Sequence, residues 1–173
     1  MNNSPRLNGT LNSAEELSQS SLAHRGPRLF LDSSALFAGV VSETGAARVL
    51  LQLAEAGSIG LIVSEQVVAE TERAIARKAP RAIVDYRSAL RSVGLQIFPD
   101  PPKEVVEANQ DLISDPTDVP IVLAAMNAGV DYLVTLNRRH FIDDPLVAQR
   151  SALQIGTPGD ALAWLRALWV DAL

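Results

Sequence analysis

At 173 residues the chain has room for one domain with a substantial core, and a hydrophobic fraction of 47% with few aromatics suits a compact α/β protein rich in Ala, Leu and Val. A net charge of −5 excludes a basic sleeve for nucleic acid, although a bound metal can supply positive charge locally. The absence of Cys excludes disulfides, thiolate-ligated zinc and thiol catalysis, and is compatible with the reducing cytoplasm taken as the expected location. No apolar run approaches the roughly 18 residues that span a bilayer, and no basic-then-apolar start marks a secretory signal, so no membrane partner is expected.

Residues 1–27 are rich in Asn and Ser and read as a flexible N-terminal arm, with Ser13 to Glu16 as a capping box and a thin stripe of Leu17 and Leu22. The domain is expected over 28–173. Leu29, Phe30 and Leu31 form a continuous apolar run ending at Asp32, the pattern of a central parallel strand, and Ser33 and Ser34 are placed to cap the next helix. A helix is predicted over Glu43 to Ala56, with Ala46, Val49, Leu50 and Leu53 on its inner face, and Leu61 to Val63 make a second strand.

Ser64 caps a helix that runs to about Lys78, where Pro80 stops it. Its apolar face holds Val67, Val68, Thr71, Ala74 and Ile75; Glu70 and Glu72 flank that face at equal angles, so periodicity does not choose between them. A further helix ends at Gly94, Gln96 to Phe98 form a third strand, and a helix follows over Glu104 to Asn109.

The stretch from Asp115 to Phe141 is the most informative. Ile121 to Met126 has no polar face, so that helix is expected to be buried on most sides, with Pro120 tolerated in its first turn and Gly129 closing it. Asp118 stands where a carboxylate caps a helix, and Asp131 to Thr135 read as a strand. Beyond it come a loop at Asp143, Asp144 and Pro145, a short strand near Leu153 to Ile155, and a final helix from about Pro158 to Leu168. Leu162, Leu165 and Trp169 give that helix a face for the core or for a dimer.

Strands and helices alternate, which predicts a layered α/β architecture with a parallel sheet and a site beyond the carboxyl ends of its strands. Asp32, Glu70 and Asp118 come from three separate elements. If they converge, unit charges about 4 Å apart repel by roughly 4 kcal/mol at an effective dielectric near 20, and a cation relieves this. Oxygen ligands without Cys favour Mg²⁺ or Mn²⁺. Each acid also has a plainer reading, Asp32 and Asp118 as helix caps and Glu70 as a solvated flank residue.

LFLDSSAL, VSEQVVAETER and DPTDVPIVLAAMNAGVDYLVTLNRRHF occur in that order between Arg28 and Leu165, and there the chain resembles the PIN domain family, the fold of VapC-type toxin ribonucleases. The resemblance implies a three-layer α/β/α fold with a central parallel sheet. It implies catalytic, metal-holding carboxylates at Asp32, Glu70 (rather than Glu72) and Asp118, and Mg (or Mn) as cofactor. The implied activity is that of a metal-dependent endoribonuclease and toxin component, with RNA, a small antitoxin protein and a second copy of the chain (a homodimer) as partners.

The sequence departs from the common family pattern at Asn137, where many members carry Asp; its amide oxygen still offers a metal ligand without charge. Asp115, Asp143 or Asp144 is placed to supply the missing charge, and Thr135 to bond a site carboxylate. Arg138 and Arg139 are candidate RNA-phosphate contacts, with solvated side chains as the plainer reading. The same plain reading is favoured for Arg73, Arg77, Lys78, Arg81, Arg87 and Arg91. His140 reads as a surface residue or a phosphate contact. Asn137 also leaves open a non-catalytic PIN-like RNA-binding or scaffold protein. A phosphate-transfer enzyme using Asp32 as nucleophile ranks below both, because Ser34 stands where a second Asp is needed.

Overall fold

The computed structural model describes residues 26–171, so the expected arm over 1–27, its capping box included, lies outside the described residues except for its last two. Five strands form one parallel sheet: β1 (Arg28–Leu31), β2 (Gly60–Ser64), β3 (Gln96–Phe98), β4 (Tyr132–Val134) and β5 (Ile155–Gly156), in the order β3-β2-β1-β4-β5. Leu29 pairs with Leu61 on one side and Tyr132 on the other, which makes β1 the centre. Its apolar run is what such a position requires, since helices cover both faces and Leu29, Phe30 and Leu31 are all buried. At the edge, β3 exposes Gln96 and Ile97.

The helices are α1 (Ser33–Val41), α2 (Ala46–Glu55), α3 (Glu65–Lys78), α4 (Ile83–Ser92), α5 (Lys103–Ala108), α6 (Val119–Ala128), α7 (Pro145–Ser151) and α8 (Pro158–Asp171). They complete the expected three-layer α/β/α arrangement. α6 is enclosed by β2, α3, α5 and α7, with Val119, Ile121, Val122, Leu123, Ala124, Ala125 and Ala128 buried, although Met126 at its end is exposed. Gly129 closes it at φ 60°, a left-handed conformation that glycine adopts without strain. α8 lies on α2, β4 and β5, and Trp164 meets Tyr132 at a ring separation of 5.3 Å.

Several sequence expectations are corrected. Asp32 itself, rather than Ser33 or Ser34, caps α1 by accepting from the Ala35 N–H. α2 starts three residues later than expected, behind Gly45, and its buried face is Ala47, Leu50, Leu51 and Ala54, with Val49 exposed. The segment after Asp144 is a helix, α7, started by the Asp144 side chain and Pro145. Trp169 is 38% exposed, so of Leu162, Leu165 and Trp169 only Leu165 is fully buried. Among the described residues no single helix is long and apolar enough to cross a membrane.

Candidate metal centre

The chain enters the sheet at its middle, builds β2 and β3 to one side, and returns to build β4 and β5 on the other. The order therefore reverses between β1 and β4, where diverging connections open a crevice beyond the carboxyl ends. Asp32 follows β1 directly, and Thr135 follows β4 directly. The Asp32 N–H bonds the Val134 carbonyl at 3.0 Å, which locks the two strand ends together.

Asp32 is 3% exposed, and its carboxylate accepts three hydrogen bonds. Oδ1 accepts from the Ser34 hydroxyl at 2.7 Å and the Ala35 N–H at 2.8 Å, and Oδ2 accepts from the Thr135 hydroxyl at 2.6 Å. Burial pushes its pKa above the ordinary aspartate value; bonds from Thr135, Ser34 and Ala35 pull it back, and the charge of Asp118 adds to the rise. Ser34 has a second task, since its Oγ accepts the Leu136 N–H at 2.8 Å and thereby holds the turn after β4.

Asp118 ends a single 3-10 turn, Pro116–Asp118, immediately before α6. It does not cap that helix: its backbone is helical and its side chain accepts no cap bond. Asp115 organises the turn instead, with Oδ1 accepting from the Thr117 N–H at 3.0 Å and the Thr117 hydroxyl at 2.7 Å, bonds that lower its pKa. The Asp118 carboxylate is thus free to face the crevice. Its Oδ2 lies 2.9 Å from His140 Nδ1 and 3.4 Å from Asn137 Nδ2, which donates to it. Burial raises the Asp118 pKa, the His140 bond opposes the rise, and Asp115 and Glu70 add to it.

Thr135 and Asn137 join the two aspartates. The Thr135 Oγ1 that donates to Asp32 also accepts the Asn137 N–H at 2.9 Å, and Asn137 reaches Asp118 with its amide. Glu70 sits on the half-buried side of α3. Its Oε1 accepts from Gln66 Nε2 at 2.8 Å, and the same nitrogen donates to the Thr117 carbonyl at 3.3 Å, beside Asp118. Glu72 is exposed and faces Tyr86, whose pKa is pushed up to about 12 by burial first and by the Glu72 charge second. The two glutamates that periodicity leaves equivalent therefore have different surroundings, and of the two only Glu70 has its charge felt at Asp118.

Of the other candidates, Asp144 caps α7 and Asp143 lies 4.0 Å from Arg138 with both side chains exposed, so neither supplies charge to the crevice. Asp115 does, with Oδ2 3.3 Å from His140 Nδ1. Arg139 is exposed, with its charge felt at Asp115. Gln66 is the residue sequence reading passed over; His140, read as a surface residue or a phosphate contact, instead lies against Asp118 and Asp115. Asn137 and His140 are three apart on the helical turn Arg138–Ile142, and that spacing was the available signal.

Among the described residues no Lys or Arg forms an ion pair with Asp32, Glu70 or Asp118. Asp115 and Asp118 each bring a carboxylate oxygen within 4.8 Å of the other and of a His140 nitrogen, while Asp32 keeps its oxygens on Ser34, Ala35 and Thr135 and Asn137 turns its amide nitrogen to Asp118. Carboxylate oxygens grouped in this way suit a hard divalent cation. The family description "PIN domain" matches residues 28–139. The chain belongs to the PIN domain family. PIN domains are typically nucleases and usually use a divalent metal. No curated protein sequence matches the chain. The solved structures that share this fold at low identity include two examples. PAE2754 from Pyrobaculum aerophilum is 19% identical, with a TM-score of 0.52 over 83% of this chain and 98% of that one. VapBC2 from Rickettsia felis, crystallised with a DNA fragment from its promoter, is 17% identical, with a TM-score of 0.54 over 75% and 98%.

Proposed function

We propose that this PIN domain is a metal-dependent endoribonuclease and the toxin half of a toxin–antitoxin pair. The observation that carries the reading is the hydrogen-bonded string from Asp32 through Thr135 and Asn137 to Asp118, with Glu70 beside it, at the switch point of the sheet. In this reading Asp32, Glu70 and Asp118 hold Mg²⁺ or Mn²⁺, and Asn137 turns its amide oxygen to the ion as an auxiliary ligand. Such an ion, when bound, acidifies water and offsets charge on the phosphodiester. Thr135 and Ser34 fix the Asp32 carboxylate in orientation, and the turn Pro116–Asp118 presents Asp118 without spending it on a cap. Arg138 and Arg139, exposed at the rim, are available to RNA phosphates on either side of the bond to be cut.

RNA, a small antitoxin that covers the crevice and a second copy of the chain are the partners of this reading. It takes the ordered domain to begin at Arg28. The test is cleavage of RNA by the full chain with Mg²⁺ or Mn²⁺ beside an Asp118→Ala control; equal rates in the two reject the assignment. The contact of His140 with Asp118 favours one other reading, a non-catalytic RNA-binding scaffold in which the imidazole stands where the ion would be. Calorimetric titration with Mn²⁺ separates the two, since a scaffold of this kind takes up none.

A further inference from the structure

The mouth of the crevice contains a nitrogen for which an all-oxygen metal site has no use. His140 Nδ1 lies 2.9 Å from Asp118 Oδ2 and 3.3 Å from Asp115 Oδ2. One donor atom from each of Asp115, Asp118 and His140 lies within 4.8 Å of the others. The Asn137 amide nitrogen is 3.2 Å from the same His140 nitrogen and donates to Asp118 Oδ2 at 3.4 Å. Ligands on adjacent corners of an octahedron, with bonds of about 2.1 Å, stand about 3 Å apart. The spacings around His140 are those of such a face. A half-turn of the Asn137 amide exchanges its nitrogen for its oxygen and adds a further donor at the same distances.

The neighbouring groups are already oriented for this. Asp115 commits Oδ1 to the Thr117 N–H and hydroxyl, which leaves Oδ2 directed at His140. His140 is 25% exposed, on a turn anchored by the buried Phe141 and by the bond from the Asp143 N–H to the Arg138 carbonyl at 2.8 Å.

The geometry points to His140 Nδ1 as a nitrogen ligand of a divalent cation held jointly with Asp115 and Asp118, at a position beside the oxygen-only set of Asp32, Glu70 and Asp118. The inference rests on the proposed metal site only in sharing Asp118 with it. Ligation uses the Nδ1 lone pair, so the ring carries its proton on Nε2. The Asp115 carboxylate supplies at the mouth the negative charge that Asn137 lacks, and the neutral imidazole adds a donor without charge. An imidazole ligand also shifts preference from Mg²⁺ toward Mn²⁺ or Co²⁺.

The experiment is pulsed electron paramagnetic resonance on Mn²⁺ bound to the full chain, with calorimetry for Mn²⁺ and Mg²⁺. The expected result is nitrogen hyperfine coupling to the ion, lost in His140→Gln. Mn²⁺ affinity then falls at least about tenfold, the lower end of what loss of even an outer-shell partner costs, and Mg²⁺ affinity changes less. Should His140→Gln fail to fold by circular dichroism, Asp115→Asn serves instead: it weakens Mn²⁺ and keeps the nitrogen coupling. Bound Mn²⁺ without nitrogen coupling overturns the histidine ligand and leaves the oxygen site standing. Coupling that persists in His140→Gln overturns it as well, because the chain's other imidazole is His24. No uptake of Mn²⁺ by the unaltered chain overturns both.

Discussion

Thr135→Val isolates the interaction that joins the two central strands to the buried acid. The substitution keeps the shape of a fully buried side chain and deletes one hydroxyl. That hydroxyl donates to Asp32 Oδ2 at 2.6 Å and accepts the Asn137 N–H at 2.9 Å. A buried bond to a charged group contributes about 1.5–3 kcal/mol, so a loss of about 2 kcal/mol is expected at a pH above the raised Asp32 pKa, where the carboxylate is ionised. For a domain of this size that lowers the melting temperature by roughly 4–8 °C.

The pH dependence carries the sharper test. Thr135 is the largest of the bonds that pull the Asp32 pKa down against burial, so the variant raises that pKa further. The charged carboxylate is what the hydroxyl stabilises most. Near pH 3.8, the ordinary aspartate value, native Asp32 holds its proton and the lost bond is a neutral one, worth about 1 kcal/mol. The difference between variant and parent should therefore roughly halve on acidification. Urea unfolding at the two pH values reads it. A difference below about 0.5 kcal/mol on the alkaline side of the Asp32 titration, or one that does not change with pH, refutes the account of a hydroxyl-stabilised Asp32 carboxylate.

Glu70→Gln should weaken Mn²⁺ binding while Glu72→Gln leaves it unchanged, read by calorimetry, because of the two only Glu70 has its charge felt at Asp118. Asp32 and Asp118 both have folded pKa values above the unfolded 3.8, so their contribution to stability is present below that pH and is lost as pH rises through the folded values. Saturating Mn²⁺, at about 100 times its dissociation constant, should add about 2.7 kcal/mol at pH 7 and almost nothing once both acids are protonated; a metal-induced melting shift that is equal in acid counts against these ligands. Ala152 ends α7 at φ 55° in the left-handed region, so Ala152→Gly should raise stability by about 1 kcal/mol in urea unfolding, and a loss of that size contradicts the strain argument.

Much of this protein is legible along the chain because its strongest signals are local. The uninterrupted apolar run of Leu29 to Leu31, the featureless face of Ile121 to Ala125 and the left-handed Gly129 each specify an environment: a strand covered on both sides, an enclosed helix, a tight exit. Helix starts were less secure, because a start depends on which of several adjacent polar side chains reaches the free N–H groups. Asp32 took that role from Ser33 and Ser34, and Asp115 took it from Asp118. The second exchange leaves the Asp118 carboxylate unspent on the helix.

Periodicity could not separate Glu70 from Glu72, since both lie at equal angles from one apolar face, and the packing of α3 beside the turn Pro116–Asp118 made the difference. The spacing of Asn137 and His140 hints at a shared face, but the contact of His140 with Asp118 cannot be read from it, because that contact closes a gap of 22 residues across the end of a strand. Residue order determines which elements form and which side chains are available to them. The neighbours that decide what a charged side chain does come from distant segments, and their positions exist only once the sheet has assembled.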